Sequence, residues 1–125
     1  MSTRWMRLLF VVAGIYDAVL GLVFLAAGTS VFERFGVEPP NHVGYIQFPA
    51  LLLLVFAAMF FRIATDPVRF RDLMPYGIGL KIAYTATVFG HEFASGIPSM
   101  WIPWAWADLA WLVLFAVAWR RTAAA

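Results

Sequence analysis

Three ionisable side chains, Asp17, Lys81 and Asp108, lie inside stretches that are otherwise apolar enough to cross a bilayer. Each would cost about 2.5 to 3.5 kcal/mol at the centre of a membrane helix, so three in one short chain must compensate one another. Two carboxylates and an ammonium at one depth can act in three ways. They can lock helices together as ion pairs, form the polar end of a ligand pocket, or carry protons or ions across the membrane. A catalytic version of the pocket would use Asp17 or Asp108 as acid and base towards a lipid or sterol-like substrate.

The spacing brings the three to a common layer. At about 1.5 Å per residue, Asp17 lies about 18 Å from Trp5, and Asp108 about 17 Å from Trp119. Lys81 has its backbone about 9 Å beyond Pro75, and its four-carbon stem carries the ammonium farther out. On the stretch 75–93, Gly77, Lys81, Tyr84, Val88 and His91 fall on one helical stripe. Gly14, Asp17 and Gly21 share a face on the first apolar stretch, and Trp104, Asp108, Trp111 and Phe115 share one on the last. The predicted pocket is Asp17, Lys81, Tyr84, Asp108 and Trp111, with small residues on one side and aromatic walls on the other.

A second group of polar residues is expected at the opposite rim: His42 with Glu38, and His91 with Glu92. These donor types suit a divalent metal, and a His pair suits haem. His91-Glu92 lacks the second His of HExxH, however, and no zinc spacing is present. The rim is therefore read as solvated polar residues, with no metal and no cofactor called for. Gly77-Ile78-Gly79 lacks the rest of a phosphate loop, and Ser95-Gly96 is a turn rather than a nucleophile elbow.

The elements that must hold these residues follow from composition. The chain has 125 residues, 63% hydrophobic and only 13% charged, with a mean hydropathy of +0.81. This is the composition of an integral membrane protein. Four apolar stretches of membrane length occupy about 5–27, 45–63, 75–93 and 102–119. The expected architecture is all-α: a polytopic four-transmembrane-helix bundle forming a single domain over residues 1–125. The first stretch is too long for a signal-peptide core and is interrupted by Asp17, so it is read as a span. Residues 28–44 carry the Gly, Ser, Pro and Asn of a loop. The second span, with only Gln47 as a polar group in its interior, is expected to be the most lipid-exposed.

Orientation comes from the basic residues. Arg4, Arg7, Arg62, Arg69, Arg71, Arg120 and Arg121 flank one side of the four spans, and Arg34 alone flanks the other. By the positive-inside rule both termini are cytoplasmic. Trp5 and Trp119 then sit at the inner interface, and Trp101 and Trp104 at the outer one. Because the net charge of +2 comes from these end-flanking arginines, nucleic-acid binding has no support. The absence of cysteine excludes disulfides and thiolate chemistry.

The first span with its AGIYDAVLGLVFL core, the following VFERFG, the GYIQFPALLL opening of the second span and two further short spans resemble the DoxX-like group of small bacterial four-helix membrane proteins. That resemblance implies a compact four-helix bundle of the inner membrane, sometimes associated with partner redox proteins, and supplies no catalytic residues. Acids inside a four-helix cavity are similar in kind to sterol-isomerase-like bundles. A lone acid in the first span is similar to small multidrug-resistance transporters, though their weak charge bias differs from the strong one here. The sequence reading is a multi-pass inner-membrane protein that binds a lipid-like or amphipathic ligand in an intramembrane polar pocket, or serves as a membrane partner subunit. Its partners are the lipid bilayer and either a membrane protein or a second copy of the chain. The alternatives are the acid–base enzyme and a proton-coupled transporter of small molecules.

Overall fold

The computed structural model describes residues 3–123. Among them lie four long helices, α1 (Arg4–Arg34), α2 (Gly44–Thr65), α3 (Met74–Ala94) and α4 (Ile102–Thr122), with short 3-10 turns at Arg71–Leu73 and Ser99–Trp101 leading into α3 and α4. No strand occurs among the described residues. Pro75 and Pro103 sit in the first turns of α3 and α4, where a missing backbone donor costs nothing.

Three helical stretches are long and apolar enough to cross a membrane: Arg4–Arg34, Gly44–Thr65 and Ser99–Thr122. Helix α3 holds Lys81, three glycines and a His-Glu pair at its end, and it is not among the three. The distribution of side chains is inside-out relative to a water-soluble bundle. Lys81 is 1% exposed and Asp17 0%, whereas Leu8 is 64% and Val55 63% exposed. Charge inside and aliphatic surface outside is the arrangement that lipid, not water, stabilises.

Two sequence expectations need correction. Residues 28–34, read as loop, are helical: α1 bends at Ala27 (φ −140°, ψ 24°) and continues to Arg34. Burial explains the extra turns, because Phe32 packs into a small outer core with Ile46 and Met100. The true end is marked by Gly36 at φ +70°. There the Val37 N–H donates to the Phe32 carbonyl and the Gly36 N–H to the Glu33 carbonyl, the paired bonds of a Schellman termination. Nor is α2 the most exposed helix. Of its most apolar window 28% is buried, against 22% for the stretch containing α4.

The close packing of α2 on α1 comes from three glycines of α1 spaced seven apart. A Cβ on Gly21 would stand 2.8 Å from the Ala50 carbonyl oxygen, one on Gly14 would meet the Phe61 ring, and one on Gly28 would meet Ile46. Such a stripe of small residues lets two helix backbones approach closely. Helices α1 and α2 therefore form one tight hairpin and α3 and α4 a second, with looser contact between α1 and α4 and between α2 and α3.

The two hairpins are joined at both ends. At the arginine-rich end, Phe10, Phe60 and Phe115 form a ring cluster with centroids 4.9 to 6.1 Å apart, surrounded by Met6, Ala13, Ile63, Met74 and Ala118. Arg71 closes this end: its Nη2 donates to the Trp119 carbonyl at 2.9 Å and its Nε to Thr122 Oγ1 at 3.2 Å. At the other end Trp101 packs against Phe24 and Phe32. The site lies between these two cores.

Candidate functional site

Lys81 bridges three helices. Its Nζ donates to Asp17 Oδ1 of α1 at 3.0 Å and to Asp108 Oδ1 of α4 at 3.1 Å. All three side chains are buried. Each occupies the inward stripe of its helix, Asp17 among Ala13, Gly14 and Gly21, Lys81 among Gly77, Thr85 and Val88, and Asp108 between Ala105 and Phe115. Gly77 makes the approach of α3 feasible, because a Cβ there would stand 2.6 Å from the Phe60 ring. The ammonium also faces the Tyr16 ring at 5.2 Å and the Phe60 ring at 5.8 Å, within cation–π range.

On the side of this layer away from the arginine-rich end the space between the hairpins is not filled. A cavity of ≈ 280 Å³ extends from Asp17 and Asp108 towards Trp101, walled by Tyr16, Leu20 and Phe24 of α1, by Leu80 and Tyr84 of α3, by Trp104 of α4 and by residues 45–53 of α2. That volume is at the small end of the roughly 300 to 1,000 Å³ usual for small-molecule sites. Tyr45, Pro49 and Leu52 line it and are also exposed, so the mouth runs along one flank of α2. The walls are almost wholly apolar or aromatic, and the charged layer forms the floor.

Two buried polar atoms on residues beside this floor make no hydrogen bond among the described residues: the Tyr16 hydroxyl and Asp17 Oδ2. The Thr85 hydroxyl, next to Lys81 on α3, is the third such atom, but Thr85 is not on the cavity wall. Buried polar groups without partners are costly and uncommon.

The residues predicted from sequence divide into three groups. Asp17, Lys81 and Asp108 are in direct contact. Tyr84 lines the cavity and donates its hydroxyl hydrogen to the Trp101 carbonyl at 2.9 Å, tying α3 to the turn before α4. Trp111 is one helical turn from Asp108 towards the arginine-rich end and packs against Tyr16 and Phe115, with centroids 5.8 Å away in both cases. It is not a cavity wall, because the half of the bundle nearer that end is filled by phenyl rings. The aromatic walls come from Trp104, which shares the Asp108 face as expected, from Trp101, expected only as an interface anchor, and from Tyr16 and Phe24. The spacing of Tyr16, Leu20 and Phe24, four residues apart and beside Asp17, is the signal that points to them.

The polar residues expected at the rim serve the loops. His42 Nδ1 accepts from the Gly44 N–H at 2.9 Å at the start of α2, and Glu92 Oε2 accepts from the Ile97 N–H at 3.1 Å after α3. His91 is exposed at the end of α3. Among the described residues no three His, Asp or Glu side chains gather closely enough to hold a metal ion. Comparison of the chain with family models, with curated proteins and with solved structures finds no match.

Proposed function

We propose that this protein is a four-span membrane protein that binds one lipid-like or amphipathic molecule in the cavity between its hairpins, with the polar end of the ligand at the Asp17–Lys81–Asp108 layer. The observation that carries this reading is an apolar, aromatic-walled cavity ending on a buried charged layer. An amphipath has that same polarity profile along its length, so burial of its tail and satisfaction of its head occur together. The cavity volume fits a single chain or one ring system rather than a two-chain phospholipid.

In this reading α3 is the fourth span. Its 21 residues are long enough for the hydrocarbon core, and its lysine is neutralised by acids of two neighbours, which removes the main obstacle to insertion. The arginine bias supports cytoplasmic termini, and location in the inner membrane of a bacterial-type cell is part of the same proposal. The resemblance to DoxX-like bundles belongs to the same proposal, since VFERFG closes α1 and GYIQFPALLL supplies the α2 wall of the cavity.

Native mass spectrometry with 12-carbon single-chain probes tests the reading. The wild-type protein is expected to saturate at one probe per chain. Leu20→Trp, which fills the cavity from α1, is expected to lose that adduct while keeping its elution volume and helical content. Equal probe binding by wild type and Leu20→Trp would overturn the proposal, as would the absence of a saturable adduct on the wild type.

A further inference from the structure

Resting on that binding reading, we infer that the head this cavity takes is a positive charge, so the ligand class is a hydrophobic monocation with an alkylated ammonium head. The carboxylates of Asp17 and Asp108 share the single ammonium of Lys81, which leaves the layer one positive charge short of neutral. Asp17 and Asp108 are also the only charged residues on the cavity wall, with no lysine, arginine or histidine among the residues that line it. A cleft whose charges are of one sign and whose walls are apolar concentrates that field inside it. The Asp17 side chain is 1% exposed and acts through its charge, whereas Asp108 keeps 10% of its side chain exposed and is the carboxylate that a head group can approach.

The walls suit the same head. Phe24, Tyr84, Trp101 and Trp104 line the cavity and are each only partly buried, and the faces of such rings attract a cation, most strongly one stripped of water. The Tyr84 hydroxyl donates to the Trp101 carbonyl at 2.9 Å, and Trp101 stacks on Phe24 with centroids 6.3 Å apart, so these rings hold one another in place. Acceptors are scarce by comparison. Both aspartates already accept from Lys81, and the second oxygen of Asp17 is buried. A bare ammonium carries three N–H donors that need partners, whereas an alkylated nitrogen carries one or none and is served by charge and aromatic faces. A carboxylate or phosphate head would bring a further negative charge towards two others, and a neutral head leaves the missing positive charge unsupplied.

The test varies the head at constant chain length. Native mass spectrometry in micelles of a neutral detergent would measure four probes on the wild-type protein: dodecyltrimethylammonium, its uncharged carbon isostere (a dodecyl chain ending in a tert-butyl group), dodecylammonium and dodecanoate. Dodecyltrimethylammonium is expected to bind at least about tenfold more tightly than the isostere and the carboxylate, and about threefold more tightly than dodecylammonium. Asp108→Asn removes one negative charge while keeping a polar side chain of the same shape, and is expected to bring the quaternary ion and its isostere to within about threefold of each other. Similar affinities for the quaternary ion and its isostere on the wild type, or tighter binding of the carboxylate, would overturn cation recognition while leaving the cavity as a binding site. Tighter binding of dodecylammonium than of the quaternary ion would overturn the alkylated head, and an undiminished preference in folded Asp108→Asn would overturn the role given to Asp108. Failure of every probe to bind would remove the binding reading itself. The comparison of heads on the wild-type protein needs no variant, so a folding defect in Asp108→Asn leaves the test decisive.

Discussion

Replacing Lys81 by Met is expected to be the most destabilising single change in the charged layer. Lys81 makes two charge-assisted bonds, at 3.0 Å to Asp17 and 3.1 Å to Asp108, each worth about 1.5 to 3 kcal/mol. Their loss sets an upper range of about 3 to 6 kcal/mol, in line with about 3 to 5 for breaking a buried pair on one side. Interhelical polar contacts inside membranes average nearer 0.6 kcal/mol, because separated helices in lipid find other partners. Burial decides between the two scales: the Lys81 and Asp17 side chains are each 1% exposed, so of the two carboxylates left behind that of Asp17 has almost no contact with solvent, while that of Asp108 is 10% exposed. The expected loss is therefore about 3 kcal/mol, the low end of the buried-pair range. Asp17→Asn and Asp108→Asn each keep an oxygen for the ammonium and leave it one intact acid, so about 1 to 2 kcal/mol is expected. Asp108→Asn should be the milder, its side chain being 10% exposed against 1% for Asp17. The combined Asp17→Asn, Lys81→Met, Asp108→Asn variant removes all three charges and should recover most of the Lys81→Met loss. Denaturant titration in mixed micelles, followed by far-UV circular dichroism, measures all four. The reasoning is refuted if Lys81→Met lies within about 0.5 kcal/mol of wild type, or if the triple variant is no more stable than Lys81→Met.

The glycines of the bundle divide into two kinds that the same titration separates. Gly21→Ala places a methyl group 2.8 Å from the Ala50 carbonyl oxygen, and forcing the two backbones apart should cost about 1 to 3 kcal/mol. Gly79→Ala meets nothing within 4 Å and should be neutral or stabilising by about 0.4 to 1 kcal/mol, through reduced freedom of the unfolded chain. A reversed order would remove the close α1–α2 approach from the explanation of the fold. Topology can be read directly because the chain has no cysteine. Cysteines introduced at Glu38 and Ser95 should react with a membrane-impermeant maleimide on intact cells, and one at Asp72 only after permeabilisation. The opposite pattern would invert the orientation taken from the arginines.

Much of the charged layer was legible in the sequence because it depends on two local quantities. Rise per residue fixes the depth of Asp17 and Asp108, and helical period fixes which neighbours share their face. The cost of burying a charge then demands a partner at that depth, and Lys81 is the cation within reach. What was not legible depends on volume between elements distant in sequence. Nothing local to Trp111 says that the inner half of the bundle is packed by Phe10, Phe60 and Phe115 while the outer half stays open. The end of α1 was legible but misread. The polar composition of 28–44 suggested a loop, whereas VFERFG carries an aromatic to bury and, two residues after Arg34, a glycine suited to the left-handed terminus.

The charged layer need not be either a packing lock or the end of a pocket, because it joins only three of the four helices. Asp17, Lys81 and Asp108 bind α1, α3 and α4 together, and the phenyl cluster fills the space on their inner side. Helix α2 contributes no charge to the layer. Its outer half is held to α1 by the contacts of Gly21 and Gly28 with Ala50, Leu54 and Ile46, and it turns Tyr45, Pro49 and Leu52 towards the cavity and its mouth. In the proposed binding reading the floor is held by charge-assisted bonds, and the α2 flank presents Tyr45, Pro49 and Leu52 at the mouth. Substitutions in the floor should therefore register first in stability, and substitutions at residues 45–52 that point into the mouth should register first in ligand access. Both behaviours follow from a buried ion pair placed where the packing of two hairpins leaves a gap.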